Sequence, residues 1–111
     1  MNTDLILKNV SKHIELSKKE KNLFLSMLEP RTLKRKEVYL YSGEICKNSA
    51  FVTDGALKSF TVDREGKEHI LSFATMDWWI ADMYSYISRK SAVLTIEAIA
   101  DSEVLLLSWE N

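Results

Sequence analysis

Apolar and polar residues follow two periods along this chain, a helical one near the N-terminus and an alternating one from residue 31 onward. Apolar residues recur at helical spacing in residues 3–13 and again after Ser17. Ser17 and Glu20 have the spacing of a capping box, which satisfies the first backbone N–H groups of a helix. Pro30 cannot continue a helix, so we expect the second one to end there. The pattern predicts two short helices within residues 1–30, packed on one end of the remaining fold.

The predicted buried face of each helix follows from this spacing. In the first helix it consists of Leu5, Val10 and Ile14, with Leu7 beside them, and in the second it consists of Leu23, Phe24, Met27 and Leu28.

From residue 31 the period changes to two, the spacing of β-strands. Strands are predicted around residues 38–42, 50–52, 56–62, 69–74 and 103–107, with a further strand just before Ala98. The dipeptide Asp54-Gly55 favours a hairpin between two of them, and Gly66 takes the left-handed position of a polar hairpin at residues 63–68. Many short strands at regular spacing predict a closed antiparallel barrel or a jelly roll.

The segment 77–98 stands apart from these strands. It begins as an apolar run, continues through about two turns of possible helix and a polar loop, and ends as a β-branched strand. A short helix followed by a loop presents unpaired backbone N–H groups, which suit a small ligand. This segment is therefore the candidate ligand site.

Length and charge narrow the function classes. A chain of 111 residues makes one domain the expectation, and its net charge of −1 gives no support for nucleic-acid binding by bulk charge. The single cysteine, Cys46, excludes an intramolecular disulfide and suits a reducing cytoplasm. No signal peptide or membrane-spanning run is present in these 111 residues, so we expect cytoplasmic localisation without membrane contact.

Several weak motifs occur together in a specific order. Two N-terminal helices are followed by a turn at residues 42–44, the hairpin at Gly55, the hairpin around Gly66 with its return strand, a short helix, and a final strand that begins at Ser102. This order resembles the cyclic-nucleotide-binding domain of the catabolite-activator/FNR family of bacterial transcription regulators. The resemblance implies a mainly β fold: a double-stranded β-helix (jelly-roll) barrel with two N-terminal helices and one short internal helix.

The resemblance also implies a domain organisation. We expect a single sensor domain over residues 1–111, with helices in 1–30, the barrel in 31–108, and a ligand-binding cassette in 77–98. In the family, a DNA-binding domain follows the last strand, and no such domain is present in this sequence. We therefore expect no direct nucleic-acid binding by this chain, and contact with DNA only through the missing C-terminal domain.

The cassette residues are carried over position by position. The family's Gly-Glu pair falls on Ala81-Asp82, and its arginine-led pair falls on Ala92-Val93. In the family, the glycine supplies a close N–H, the glutamate holds the ribose hydroxyl and the arginine neutralises the phosphate. The expected ligand contacts are Ala81, Asp82 and Met83 on the helix and Ser91, Ala92 and Val93 on the loop.

The implied effector is a small molecule, and cyclic AMP is a candidate, although no cofactor is certain. Asp82 keeps a carboxylate, but Ala92 has no charge where the family has arginine. Losing a charge-assisted bond of about 1.5–3 kcal/mol weakens binding roughly tenfold to a hundredfold. Arg89 and Lys90 lie nearby on the loop. The expected role is that of a non-catalytic, homodimeric sensor module that responds to a ligand by population shift.

Two alternatives remain open. One is a dimerisation or interaction module that binds no ligand, favoured if the apolar residues 78–83 are exposed. The other is a cupin-like metal enzyme, which needs about three ligating histidines, whereas this chain has only His13 and His69. Trp78 and Trp79 are expected to pack on the barrel rather than to stack on a base. Trp109 is expected to cover the barrel or to pack on a following helix.

Overall fold

The computed structural model describes residues 3–108, within which three helices and eight strands are found. The helices are α1 Asp4–Ser11, α2 Lys18–Ser26 and α3 Met83–Ser88. The strands are β1 Leu28–Leu33, β2 Val38–Leu40, β3 Asn48–Asp54, β4 Ala56–Val62, β5 Glu68–Thr75, β6 Trp79–Ile80, β7 Thr95–Ala98 and β8 Ser102–Ser108. Trp109 lies outside the described residues, so its expected packing stays a prediction.

The strands form two four-stranded antiparallel sheets. The first has the order β1-β8-β3-β6, and the second has the order β2-β7-β4-β5. Consecutive strands often lie in different sheets, as a jelly roll requires. The predicted mainly β fold, with two N-terminal helices and one short internal helix, is confirmed.

The first sheet is buried on both faces. Ala50, Val52 and Val104 belong to the cluster that fills the barrel, whereas Phe51 and Leu105 belong to a second cluster that also contains Ile6 of α1. Because adjacent strand residues point to opposite faces, a strand covered on both sides reads as a continuous apolar run. This explains why β3 and β8 are apolar at consecutive positions.

The N-terminal helices cover the outer face of this first sheet rather than one end of the barrel. Ile6 is the buried residue of α1, together with partly buried Leu5 and Val10, while Ile14 lies exposed. In α2, Phe24 is partly buried, but no residue is fully buried. The predicted buried faces are therefore wrong at Ile14 and at Leu23 of α2, which is also exposed, and the pattern missed Ile6.

The start of α2 follows the prediction, but its end does not. Ser17 Oγ accepts from the Glu20 N–H at 3.2 Å, and the Glu20 carboxylate accepts from the Ser17 N–H at 3.0 Å, which completes the capping box. The helix ends at Ser26, and Pro30 lies within β1. Strand β1 is an edge strand, where a missing N–H is tolerated. The barrel thus begins at Leu28 and not at residue 31.

The predicted hairpin at Gly55 is wrong. Strand β3 pairs with β8 and β6, whereas β4 pairs with β5 and β7, so the chain passes from one sheet to the other at this glycine. Gly55 has φ +88°, and a Cβ there would lie 2.6 Å from the Asp101 carbonyl oxygen and against Ser102 Oγ. The hairpin at Gly66 joins the paired strands β4 and β5, as predicted.

Candidate functional site

Helix α3 is the centre of the cassette, residues 77–98, and its N-cap is Asp82. The Asp82 side chain is 3% exposed and accepts three hydrogen bonds from backbone N–H groups. Its Oδ1 accepts from Ser85 at 3.0 Å, and its Oδ2 accepts from Val93 at 2.8 Å and from Leu94 at 3.0 Å. One carboxylate therefore closes the start of the helix and holds the following loop against it.

The ionisation of Asp82 reflects these contacts. Burial by itself raises the pKa of this carboxyl, but the N–H groups of Ser85, Leu94 and Val93 stabilise the charged form more strongly. The net result is a pKa below the ordinary value of 3.8. Asp82 is therefore a carboxylate at neutral pH.

Ser85, one turn further along α3, joins two more segments. Its Oγ donates to the Lys90 carbonyl oxygen at 2.5 Å and accepts from the Cys46 N–H at 2.8 Å. Ser85 is fully buried. The Ser85 hydroxyl thus connects the segment between β2 and β3 to the C-terminal end of α3. The Cys46 thiol itself contacts the Asn48 carbonyl oxygen at 3.3 Å, and burial raises its pKa.

The remaining contacts fix the loop and the last strand. The Tyr86 hydroxyl donates to the Leu107 carbonyl oxygen of β8 at 3.2 Å. The Gly43 N–H donates to the Ala92 carbonyl oxygen at 2.7 Å, and the Ala92 N–H donates to the Glu44 carbonyl oxygen at 2.6 Å. The cassette is consequently connected to the turn after β2 and to β8.

The expected ligand contacts occupy different environments. Asp82 and Val93 are in direct contact, and Ala92, 4% exposed, lies beside Val93 in the chain. Ala81 is partly buried against the barrel core. Met83, Ser91 and Val93 are exposed, with Val93 at 57% and Ser91 in an isolated bridge to Ile45.

Sequence reasoning missed Ser85, the backbone N–H of Leu94, and the Cys46 N–H as parts of this arrangement. One local signal was available. Aspartate is a preferred N-cap residue, and its side chain accepts from the N–H of the residue three positions later, which here is Ser85. The contacts with Cys46 and Lys90 depend on tertiary structure.

The two neighbouring tryptophans behave differently. Trp79 packs on Phe51 with 5.1 Å between ring centroids, and its Nε1 donates to Asn9 Oδ1 at 2.9 Å. Asn9 in turn donates to the Asp77 carbonyl oxygen at 2.9 Å. Trp79 therefore anchors α1 on the barrel, as the packing interpretation predicts. Trp78 is 62% exposed, so that interpretation is wrong for Trp78.

Other candidate sites lie apart from the cassette. His69 Nε2 lies 2.9 Å from Asp63 Oδ2 in the β4–β5 hairpin. Within residues 3–108, no group of three or more His, Cys, Asp or Glu side chains is placed to hold a metal ion. A groove of about 510 Å³ lies between α1 and the ends of β3 and β8, lined by residues that include Asp4, Lys8 and Met76, and none of its lining residues belongs to the cassette.

The sequence of residues 30–111 matches the family model of the cyclic nucleotide-binding domain. The chain belongs to the cyclic nucleotide-binding domain family. No curated protein sequence matches it. No helix in the described part of the chain combines the length and apolar character needed to cross a membrane.

Solved structures share this fold at low sequence identity. The sensor domain of the transcriptional regulator DNR from Pseudomonas aeruginosa has a TM-score of 0.82 and 19% identity, covering 96% of this chain and 70% of that one. The catabolite activator protein of Thermus thermophilus has a TM-score of 0.74 and 23% identity, with coverages of 86% and 44%. The cAMP-bound structure of PfPKA-R (141-441) has a TM-score of 0.76 and 13% identity, with coverages of 86% and 33%.

This chain therefore spans less than half the length of the last two structures. At these identities the likeness concerns the fold. The family match assigns the chain to a class of ligand-binding regulatory domains, and its structural neighbours include transcription regulators.

Proposed function

We propose that this domain is the sensor module of a regulatory protein and that a small-molecule effector binds at the cassette. The observation that carries the proposal is the set of contacts around α3. Asp82 joins the helix to the loop at Val93, Ser85 joins it to Cys46, and Tyr86 joins it to Leu107 in the last strand. A ligand that displaces α3 must therefore alter contacts on three other segments.

The mechanism we propose is a shift between two arrangements of the cassette. A ligand changes such an equilibrium only by its difference in affinity for the two states. The bond from Tyr86 to Leu107 provides a direct connection between α3 and β8. Through β8, the change would reach whatever part of a regulator lies beyond the barrel.

Ala81, Asp82 and Met83, together with the loop residues 91–93, are our proposed contact residues. Met83, next to Asp82 in the chain, and Val93, whose N–H donates to the Asp82 carboxylate, both have exposed apolar side chains. The proposed domain is non-catalytic and works in the cytoplasm as a homodimer. It does not contact DNA itself.

Cyclic AMP is the effector that the family suggests, but the residues present do not fit its phosphate. Ala92, at the position of the family's arginine, is buried and uncharged. The N–H groups of Val93 and Leu94 are already bonded to the Asp82 carboxylate. Cyclic nucleotides therefore serve as probes of this mismatch, and the proposed effector is a different small molecule.

The experiment is an amide NMR titration of the ¹⁵N-labelled domain with cyclic AMP, cyclic GMP and a panel of uncharged small molecules. We expect at least one compound to shift the amides of α3 and residues 91–94 together with that of Leu107. The matched variant Tyr86→Phe keeps the ring but loses the bond to β8, so the Leu107 shift should shrink while the cassette shifts persist. If every compound leaves the cassette amides unmoved, the sensor proposal is wrong.

A second candidate function is an interaction module that needs no ligand. Val62, Ile70, Leu71 and Phe73, the outer apolar patch, are all exposed on β4 and β5. Strand pairing places Phe73 opposite Lys58, Ile70 opposite Phe60 and Glu68 opposite Val62, so much of this patch shares one face of the sheet. Exposed apolar patches of this kind are common at protein–protein contacts. Self-association without ligand would favour this function.

A further inference from the structure

Two neighbouring backbone N–H groups of the cassette loop converge on a single oxygen atom. Val93 and Leu94 donate to Asp82 Oδ2 at 2.8 and 3.0 Å. Successive N–H groups that point to one position form an arrangement suited to a negatively charged oxygen. In this protein, the oxygen comes from the chain itself.

The position of these N–H groups matters for the ligand. They directly follow Ala92, where the resemblance places the arginine that neutralises a phosphate. Ala92 supplies no charge there, and no salt bridge described within residues 3–108 joins a cation to Asp82. The place where a phosphate is expected therefore contains a fixed carboxylate.

An arriving phosphate faces two obstacles at this place. It must compete with the carboxylate for the N–H groups of Val93 and Leu94, and it must then lie beside a second negative charge. Repulsion between like charges grows as water is excluded from between them, and Asp82 is buried. The carboxylate is also held by Ser85 at the start of α3, so it cannot turn away without uncapping the helix.

We infer that Asp82 is a built-in anion of the cassette, a specificity-determining residue: with no arginine at Ala92 to neutralise a phosphate, its carboxylate takes up the N–H groups of Val93 and Leu94 and restricts the effector to molecules without a negatively charged group. The inference rests on the proposed sensor function, because it names the class of ligand that the same site accepts. An uncharged effector would contact the exposed Met83 and Val93 and leave the Asp82 bonds intact.

The test is calorimetric titration of the 111-residue chain with cyclic AMP and with inorganic phosphate, read together with the amide signals of Val93 and Leu94. The wild type should give no saturable heat at millimolar ligand. Asp82→Asn, which keeps the side-chain volume, and Asp82→Ala should both bind cyclic AMP with saturable heat, at a Kd at least tenfold below the highest ligand concentration tested on the wild type, and shift the Val93 and Leu94 signals.

Asp101→Ala is the matched control. Asp101 also accepts a backbone bond from a distant segment, the Arg35 N–H at 2.9 Å, but it lies outside the cassette. This variant should bind cyclic AMP no better than the wild type does. Amide spectra of each variant establish that the domain is folded before affinities are compared.

Three results would overturn the inference: micromolar binding of cyclic AMP by the wild type, a folded Asp82→Asn protein that gains no affinity, or an equal gain in Asp101→Ala. These results leave the sensor proposal in place, since it depends on whether any small molecule moves the cassette. Conversely, phosphate binding gained by Asp82→Asn, with no compound of the NMR panel bound by the wild type, supports the exclusion of anions by Asp82 and contradicts the sensor proposal.

Discussion

At the scale of single residues, two short side chains organise the cassette. Asp82 connects α3 to Val93 and Leu94, and Ser85 connects it to Cys46 and Lys90. Both are buried, and among the described residues no buried side-chain nitrogen or oxygen is left without a hydrogen-bond partner. A buried polar group that loses its partner costs more free energy than an exposed one, so these two positions should tolerate substitution poorly.

Ser85→Ala tests this expectation directly. It removes the partner of the Cys46 N–H and of the Lys90 carbonyl oxygen, so the free energy of unfolding should fall by about 1–3 kcal/mol. Ser88→Ala is the control on the same helix, because the Ser88 hydroxyl donates to the Tyr84 carbonyl oxygen and accepts from the Lys90 N–H, both in exposed positions. Its effect should stay within about 0.5 kcal/mol. Urea unfolding of both variants measures the difference, and equal losses would contradict the proposed role of Ser85.

The charge of Asp82 predicts a dependence of stability on pH. Because its pKa is lower in the folded protein than the ordinary value of 3.8, the carboxylate contributes stability above that value. The contribution is lost as the pH falls through the folded-state pKa. The difference in unfolding free energy between the wild type and Asp82→Asn should therefore be constant from about pH 5 to 7 and narrow in more acidic solution. Denaturant titrations at several pH values measure it, and a difference that widens on acidification would contradict this assignment.

At the scale of elements, the two glycine turns at Gly55 and Gly66 show what a local sequence signal can predict and what it cannot. Both follow an acidic residue and precede a strand, and both glycines have positive φ. Gly66 closes a hairpin within one sheet, whereas Gly55 carries the chain between sheets. The local signal identifies a turn, but it contains no information about which strands pair on either side.

Gly55→Ala should be much more damaging than Gly43→Ala. Both glycines have positive φ, +88° and +97°, so each substitution incurs a backbone cost of about 1–2 kcal/mol. At Gly55 the added methyl group would also meet Ser102 and the Asp101 carbonyl oxygen, whereas at Gly43 nothing lies within 4 Å. We expect a further loss of about 1–3 kcal/mol at Gly55. Thermal unfolding compares the two, and similar melting temperatures would contradict the crowding at Gly55.

At the scale of the whole molecule, α1 and the outer apolar patch lie on different sheets. Helix α1 is held on the first sheet by Ile6 and by the bond from Trp79 to Asn9. The outer apolar patch lies on β4 and β5 of the second sheet, where its side chains remain exposed. The two sheets therefore present different surfaces to a partner, and self-association is expected to use the second.

Phe73→Ser should weaken any dimer of the chain at least tenfold, because it removes a large apolar side chain from the outer apolar patch. The control is Leu23→Ser on α2, since Leu23 is 63% exposed and Phe73 is 56% exposed. Sedimentation velocity over a range of concentrations measures the association of each variant. A dimer weakened equally by both substitutions, or by Leu23→Ser alone, would exclude this surface as the contact.

Local residue patterns by themselves determined several elements of this protein. The capping box at Ser17 and the hairpin at Gly66 depend on neighbouring residues, so they were predictable. The strand periods predicted the mainly β fold. The order of the motifs carried the resemblance to the family, which the match of residues 30–111 confirms.

Tertiary structure decided the remaining features, because they depend on contacts between residues far apart in the chain. It placed Pro30 in an edge strand, made Gly55 a crossing between sheets, and buried Ile6 against Phe51. Asp82 stands eleven residues from Val93 in the sequence, and no local period reports their hydrogen bond. The sequence was sufficient to identify the segment that forms the cassette. The hydrogen bonds within it depend on how the loop folds back onto α3.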